Sequence, residues 1–168
     1  MLDDYETSVD DWGLEGANST FPSTDAFTGT YSVRLETTMA SWGDTLFGYF
    51  ISGDPDTQAP GQAVSLPAVD SIIGYYKYDI MPGDSALLLV ATSFMGTITG
   101  GGTYYMKGQQ TTWKRFSYPV MAVAADSLLV GAASGDPVNN FNGIAGSWIQ
   151  FDDVQSVSYT HLTLPTTR

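Results

Sequence analysis

Few residues in this chain could act as a nucleophile, a base or a soft metal ligand. Its 168 residues contain one histidine, His161 near the C-terminus, and no cysteine. A Ser-His-Asp triad needs an imidazole that the fold buries and orients, and catalytic zinc usually needs two or three imidazoles. The sequence therefore excludes triad and zinc hydrolases, and it excludes disulfide and thiolate chemistry as well.

Carboxylates are the chemically capable groups that remain, with 15 Asp and 3 Glu. Two suitably spaced carboxylates suffice for glycoside hydrolysis. Most of these acids fall in turn-forming stretches, where carboxylates bond to nearby backbone amides: Asp54, Asp56, Asp84 and Asp136. A carboxylate-only glycosidase is therefore the least favoured of the alternatives.

Two acidic positions at opposite ends of the chain indicate a metal. Glu6 follows two aspartates near the start, and Asp152 lies in an apolar stretch near the end. The terminal strands of a β-sandwich often lie side by side, and carboxylates joined by loop carbonyls hold Ca²⁺. Carboxylates from Glu6 and from the Asp152-Asp153 pair are therefore candidates for holding a hard cation such as calcium. The alternative is that Asp152 or Asp153 faces solvent while the other bonds to backbone.

Aromatic residues indicate a second kind of site. A flat, exposed ring can stack on the apolar face of a sugar, while amides and hydroxyls bond its hydroxyl groups. Trp42 lies between two expected strands beside glycine and aspartate, and it is the best candidate for such a platform. Tyr104 and Asn140 are the other predicted ligand-binding residues. Trp148 and Tyr76 are predicted to be core residues.

The element that organises the chain is predicted to be a hairpin within Asp70–Thr92. Strands at Ile72–Tyr78 and Ala86–Val90 flank the turn-forming stretch Pro82-Gly83-Asp84, which suits a type II turn. The continuous apolar run of the second strand predicts a central position with both faces buried. The three glycines Gly100–Gly102 are expected to form a bend or a flexible loop.

The rest of the chain has the rhythm of an all-β protein. Tyr31–Glu36 alternates apolar and polar residues, as a half-buried strand does. About eight or nine such strands recur at roughly 10–15-residue intervals. We predict one two-sheet antiparallel β-sandwich, a jelly roll, over residues 1–157.

The charge of the chain limits its partners. Its formal net charge is −12, from 6 Lys+Arg against 18 Asp+Glu. Such a protein repels phosphate backbones and anionic lipids, so we expect no nucleic acid partner. No apolar run reaches membrane-spanning length, so we expect no membrane insertion. The first residues do not resemble a secretory signal.

The last eleven residues, 158–168, depart from the acidic, glycine-rich style of the chain. They resemble translated sequencing-adapter read-through, a feature of truncated reading frames in metagenomic assemblies. We therefore expect this tail to be non-native; the alternative is a genuine terminal strand at Tyr159–Leu164.

The order of several short motifs resembles that of jelly-roll carbohydrate-binding-like modules. The closest similarity is to the carbohydrate metabolism domain group of secreted Bacteroidetes-type proteins. The motifs are Asp3-Asp4-Tyr5-Glu6 followed by Trp12, Thr28–Leu35, Gly74–Tyr78, Thr112–Phe116, and Gly146-Ser147-Trp148 followed by Asp152-Asp153-Val154.

This resemblance implies a non-catalytic module that binds a glycan or polysaccharide, or serves in adhesion. It implies an extracellular or cell-surface location, with the chain a monomeric fragment of a larger multidomain protein. In related modules a structural calcium uses an early glutamate and a late aspartate, which match Glu6 and Asp152. A purely structural spacer domain is the alternative.

Overall fold

The computed structural model describes residues 12–15, 19–54, 59–66, 69–122, 124–137 and 143–157. These residues form fourteen strands and no helix. The strands are β1 Trp12–Glu15, β2 Thr20–Ser23, β3 Ser32–Glu36, β4 Thr38–Met39, β5 Thr45–Leu46, β6 Tyr49–Asp54, β7 Ala59–Pro60, β8 Gln62–Leu66, β9 Val69–Asp79, β10 Ala86–Phe94, β11 Thr97–Met106, β12 Gln109–Ala122, β13 Ala125–Ala133 and β14 Trp148–Val157.

The strands form two main antiparallel sheets. The seven-stranded sheet has the order β1-β6-β13-β10-β11, with β7 beside β6 and β8 beside β13. The five-stranded sheet has the order β12-β9-β14-β3-β2, and β4 and β5 form a separate small hairpin. The predicted all-β sandwich is confirmed. Glu6, Asn140 and the tail 158–168 lie outside the described residues.

The core lies between the two sheets and follows the period-2 alternation of the strands. In β3, Val33 and Leu35 are fully buried, whereas Arg34 between them remains partly exposed. The rings of Phe50, from the seven-stranded sheet, and Phe151, from the five-stranded sheet, meet edge to face at 5.8 Å. Fully burying a side chain of this size stabilises the fold by about 1.5–3 kcal/mol, so these rings join the sheets.

The predicted hairpin within Asp70–Thr92 is wrong, although its turn is correct. The amide of Asp84 donates to the carbonyl of Met81 at 3.0 Å, and Gly83 has the positive φ of 93° that a type II turn requires. However, β9 belongs to the five-stranded sheet and β10 to the seven-stranded sheet. The six-residue connection 80–85 therefore crosses from one sheet to the other. The residues of a turn determine that the chain reverses direction, but they do not determine which strand the next segment pairs with.

The prediction that β10 is a central strand is correct, but the prediction that both of its faces are buried is wrong. The strand lies between β11 and β13, away from both sheet edges. Leu88 and Val90 are buried in the core, but Leu89 is 37% exposed on the outer face. No second layer fully covers this face of the sheet in the described part of the chain.

The predicted loop at Gly100–Gly102 is also wrong, since these residues lie within β11. Gly101 has φ 125° and pairs with Ala91, whereas the register shift of this strand pair lies two residues away, at Thr99. A Cβ at Gly101 would lie 2.1 Å from the carbonyl oxygen of Val90. Glycine is therefore required here by the positive φ and the close backbone approach.

Candidate functional site

Trp42 lies at the tip of the β4–β5 hairpin. Two backbone hydrogen bonds close this tip: Ala40 N donates to Asp44 O at 2.7 Å, and Gly43 N donates to Ala40 O at 3.0 Å. Gly43 has φ 99°, which favours glycine at that position. The Trp42 side chain is 69% exposed, as its predicted role as a platform requires. The hairpin therefore presents a large ring to solvent on a locally closed turn.

An open groove lies on the outer face of the seven-stranded sheet, where β6, β13 and β10 run side by side. Its volume is about 350 Å³. Two rows of cross-strand neighbours form its length, Ile51–Gly131–Leu89 and Tyr49–Ala133–Leu87. Phe47 and Pro137 also line the groove. This surface combines residues from three strands that are distant in sequence.

Small residues on β13 form the floor of the groove. Gly131 has no side chain, and a Cβ there would lie 3.3 Å from the carbonyl oxygen of Phe50 and 3.6 Å from Cγ1 of Ile51. The rings of Phe47 and Tyr49 contribute aromatic surface, with centroids 6.1 Å apart. The groove therefore has a low floor of glycine and alanine between aromatic and aliphatic walls.

The Trp42 hairpin and the groove are connected directly along the chain. The hairpin's second strand, β5, ends at Leu46, and the next residue, Phe47, lines the groove. Phe47 is therefore the residue at which the hairpin and the groove meet along the chain. We call the set of Trp42 and the groove residues the apolar surface.

Tyr104 and its neighbour Tyr105 lie on opposite faces of β11. Tyr104 packs against the core, its ring stacks on Tyr118 at 3.8 Å, and its hydroxyl donates to Pro119 O at 2.7 Å. Tyr105 is exposed and pairs with the groove residue Leu87. The structure thus places Tyr104 between the sheets rather than beside Trp42. If the glycines before them had been assigned to a strand, the alternation along β11 would have predicted one tyrosine on the inner face and the other on the outer face.

The two other aromatic predictions have different outcomes. Tyr76 is buried and stacks on Phe116 with centroids 5.6 Å apart, as a core residue does. Trp148 is only partly buried, and the guanidinium of Arg34 lies 4.2 Å from the centre of its ring. The core prediction for Trp148 is therefore wrong, because it shares its strand face with Gln150, which is bonded to Arg34.

Asp152 is fully buried and holds the loop that precedes β3. Its Oδ2 accepts hydrogen bonds from the amides of Phe27 at 2.6 Å and Thr28 at 3.0 Å. Its Oδ1 is buried and has no hydrogen-bond partner among the described residues. Burial raises the pKa of Asp152, and the amides of Thr28 and Phe27 lower it in part. The carboxylate therefore has one engaged oxygen and one available oxygen.

This available oxygen is of the kind that binds a calcium ion. The described part of the chain holds no group of three or more His, Asp or Glu side chains placed to bind a metal. Ca²⁺ takes six to eight oxygen ligands. Coordination at Asp152 would therefore need backbone carbonyls and Glu6, which lies outside the described residues.

The loop over the five-stranded sheet brings together groups that the sequence analysis missed. Phe27 stacks on Tyr75 with ring centroids 3.6 Å apart. Lys77 is buried, pairs with the carboxylate of Asp25 and lies 4.8 Å from the ring centre of Trp113. These contacts depend on pairing across the sheet, and no local pattern signals them.

Comparison with known proteins gives matches in structure but not in sequence. No protein-family model matches the sequence, and no curated protein matches it significantly. The family 11 carbohydrate-binding module from Clostridium thermocellum, solved with a β-1,3-1,4-mixed-linked tetrasaccharide, has a TM-score of 0.53 at 15% identity, covering 94% of each chain. The chain has a jelly-roll fold.

Two further structures share this fold. The K1 cleaved adhesin domain of Lys-gingipain from Porphyromonas gingivalis W83 has a TM-score of 0.55 at 15% identity, covering 94% of this chain and 97% of that chain. A candidate glycoside hydrolase from Bacteroides thetaiotaomicron has a TM-score of 0.59 at 14% identity, covering 93% of this chain. The present chain spans 60% of the length of that hydrolase. The predicted resemblance to jelly-roll carbohydrate-binding-like modules is confirmed at the level of fold.

The described residues contain no helix long and apolar enough to cross a membrane.

Proposed function

We propose that this domain is a non-catalytic module that binds a glycan through the apolar surface. The observation that carries the proposal is the exposed ring of Trp42 on a closed hairpin, with the first residue after that hairpin, Phe47, in the lining of an open groove. A sugar ring has an apolar face that stacks on an aromatic ring, and a groove can hold an adjoining residue. The jelly-roll neighbours include a module solved with an oligosaccharide, which supports this assignment.

Two described carboxylates are engaged in structural roles, which supports a binding function over a carboxylate-only glycosidase. Asp84 and Asp152 accept backbone hydrogen bonds and lie buried in the fold. A glycosidase needs one free carboxylate and one protonated carboxyl on either side of an open cleft. No carboxylate is among the described residues that line the groove.

We place the protein outside the cell, as part of a longer surface or secreted chain. An adhesin domain among the fold neighbours supports this placement. A structural spacer remains the alternative function, and it differs in one respect: a spacer would bind no glycan.

Calcium bound by Asp152 and Glu6 is the second part of the proposal. The orphaned Oδ1 of Asp152 supports it. The ion would neutralise a buried charge and fasten the middle of β14 to the start of the chain, without taking part in glycan binding.

The test is a glycan array with the purified domain, followed by titration calorimetry with the best ligand. Trp42→Ala should weaken binding at least tenfold, about 1.4 kcal/mol, and Trp42→Phe should restore part of it. Phe94→Ala is the matched control, because Phe94 is also an exposed ring and is not among the residues that line the groove. Binding that survives Trp42→Ala, or an array without signal, would overturn the proposal.

A further inference from the structure

We infer that the groove of the apolar surface takes a neutral sugar that inserts an apolar substituent, an O-acetyl group or the methyl group of a 6-deoxy sugar. This inference rests on the proposed glycan-binding function and specifies its ligand class. It follows from the polarity, the charge and the size of the groove.

The groove offers almost no hydrogen-bonding atoms. Its walls and floor are carbon from Leu87, Leu89, Ile51, Gly131 and Ala133. A sugar hydroxyl placed there would lose its hydration without gaining a partner, which disfavours binding. A methyl group, including the methyl end of an acetyl group whose carbonyl stays at the rim, has no such loss, and it gains from burial against these side chains.

Two side chains leave apolar area open for such a group. Leu89 is 37% exposed and Ile51 is 44% exposed, and they face the same side of the sheet in one cross-strand row. Exposed aliphatic side chains on the central strands of a sheet are stabilised when a ligand covers them. The occupant should therefore place its apolar part between Leu89 and Ile51.

The charge of the groove favours a neutral occupant. No charged side chain is among the described residues that line it. The chain as a whole carries a net charge of −12 with only 6 basic residues. An acidic sugar, a sulfated sugar or a fatty acid would meet a repulsive field and find no cation in the groove to pair with its charge.

The volume sets the size of the inserted part. At about 350 Å³, the groove is near the lower end of the roughly 300–1,000 Å³ that small-molecule sites occupy. It therefore suits one substituted sugar residue and not a run of several. Neighbouring residues of the glycan would remain outside the groove.

The experiment compares one polymer in two chemical states. O-acetylated glucomannan and the same batch after mild alkaline de-O-acetylation are titrated against the intact domain in a calorimeter. The acetylated form should bind at least tenfold more tightly. In competition, methyl α-D-rhamnoside should displace it at lower concentration than methyl α-D-mannoside, which differs only by a hydroxyl in place of one C6 hydrogen.

Variants then assign this preference to the groove. Leu89→Asn should bring the affinity ratio of the two polymer forms close to one, since an amide can bond a hydroxyl. Ile98→Asn is the matched control, because Ile98 is an exposed aliphatic residue of the same sheet outside the groove. Thermal unfolding checks that Leu89→Asn folds, and Ile51→Gln replaces it if it does not.

The outcomes separate the two proposals. A ratio above ten that Leu89→Asn abolishes supports the inference. Trp42-dependent binding with a ratio near one overturns the inference and leaves the proposed function standing. If neither polymer nor any array glycan binds, the proposed function fails, and the inference fails with it.

Discussion

The hydroxyl of Ser147 donates a 2.6 Å hydrogen bond to Oδ2 of Asp84, which joins the turn between β9 and β10 to the segment that enters β14. The same oxygen accepts from the amide of Ile144 at 2.8 Å, and Oδ1 accepts from the amide of Ser85 at 2.8 Å. Ser147 in turn accepts from the amide of Met81 at 3.1 Å. One buried carboxylate thus satisfies donors from both segments.

Asp84→Ala should therefore lower the free energy of unfolding by about 2–4 kcal/mol, because it leaves buried donors unpaired. Asp84→Asn should cost less, since it keeps one acceptor oxygen. Urea denaturation measures both. An unfolding free energy of Asp84→Ala equal to that of the parent would contradict this role.

The buried ammonium of Lys77 depends on Asp25, whose carboxylate is largely exposed. Asp25→Ala should lower the free energy of unfolding by about 1 kcal/mol, because solvent screens the exposed partner of the pair. Lys77→Met should be tolerated, since it removes the buried charge and keeps the apolar stem beside Trp113. The double variant should then be more stable than Asp25→Ala alone, which chemical denaturation of the four proteins would measure. A double variant less stable than either single variant would contradict this account.

We expect the contribution of Asp152 to folding stability to depend on pH, with opposite signs in the presence and absence of calcium. Burial raises the pKa of Asp152 above the ordinary value of 3.8. When chelator removes calcium, protonation of this carboxyl therefore stabilises the folded state relative to the unfolded state. The stability it contributes is then full below that ordinary value and is lost as pH rises through the raised pKa. Compared with Asp152→Asn, the chelated parent should become less stable as pH rises over this window.

Bound calcium reverses this trend, because the ion needs the ionised carboxylate. Excess chelator should lower the melting temperature at neutral pH, and Glu6→Ala or Asp152→Asn should remove that sensitivity. Melting curves in calcium and in chelator at several pH values provide the measurement. Identical curves in both solutions would rule out the site.

Met95 occupies a backbone conformation that favours other residues. It has φ 49° at the turn between β10 and β11, its side chain is 82% exposed, and its amide donates to Asp126 at 2.7 Å. Asn-Gly is preferred in such two-residue turns, and Gly96 already follows. Met95→Asn should raise the free energy of unfolding by about 0.5–1 kcal/mol. Met95→Val, which is β-branched, should lower it; a thermal melt that ranks the two variants in the opposite order would be inconsistent with strain at Met95.

Local patterns correctly predicted much of the secondary structure. Val33 and Leu35 alternate with polar neighbours, and that alternation alone places them in the core. Pro82-Gly83 specifies its turn because the dihedral preferences of these residues act within four positions. The exposure of Trp42 follows from glycine and aspartate beside it, which favour a turn over a strand interior.

The tertiary structure decided which strands are neighbours, and with them the apolar surface. Leu89, Gly131 and Ile51 are far apart in the sequence, and only the order β6-β13-β10 brings them into one row. The same pairing assigned β9 and β10 to different sheets and placed Gly101 against Val90. Backbone preferences act over a few residues, whereas a sheet is selected by the burial of all its strands together. A groove made by three strands therefore has no signature in any one of them.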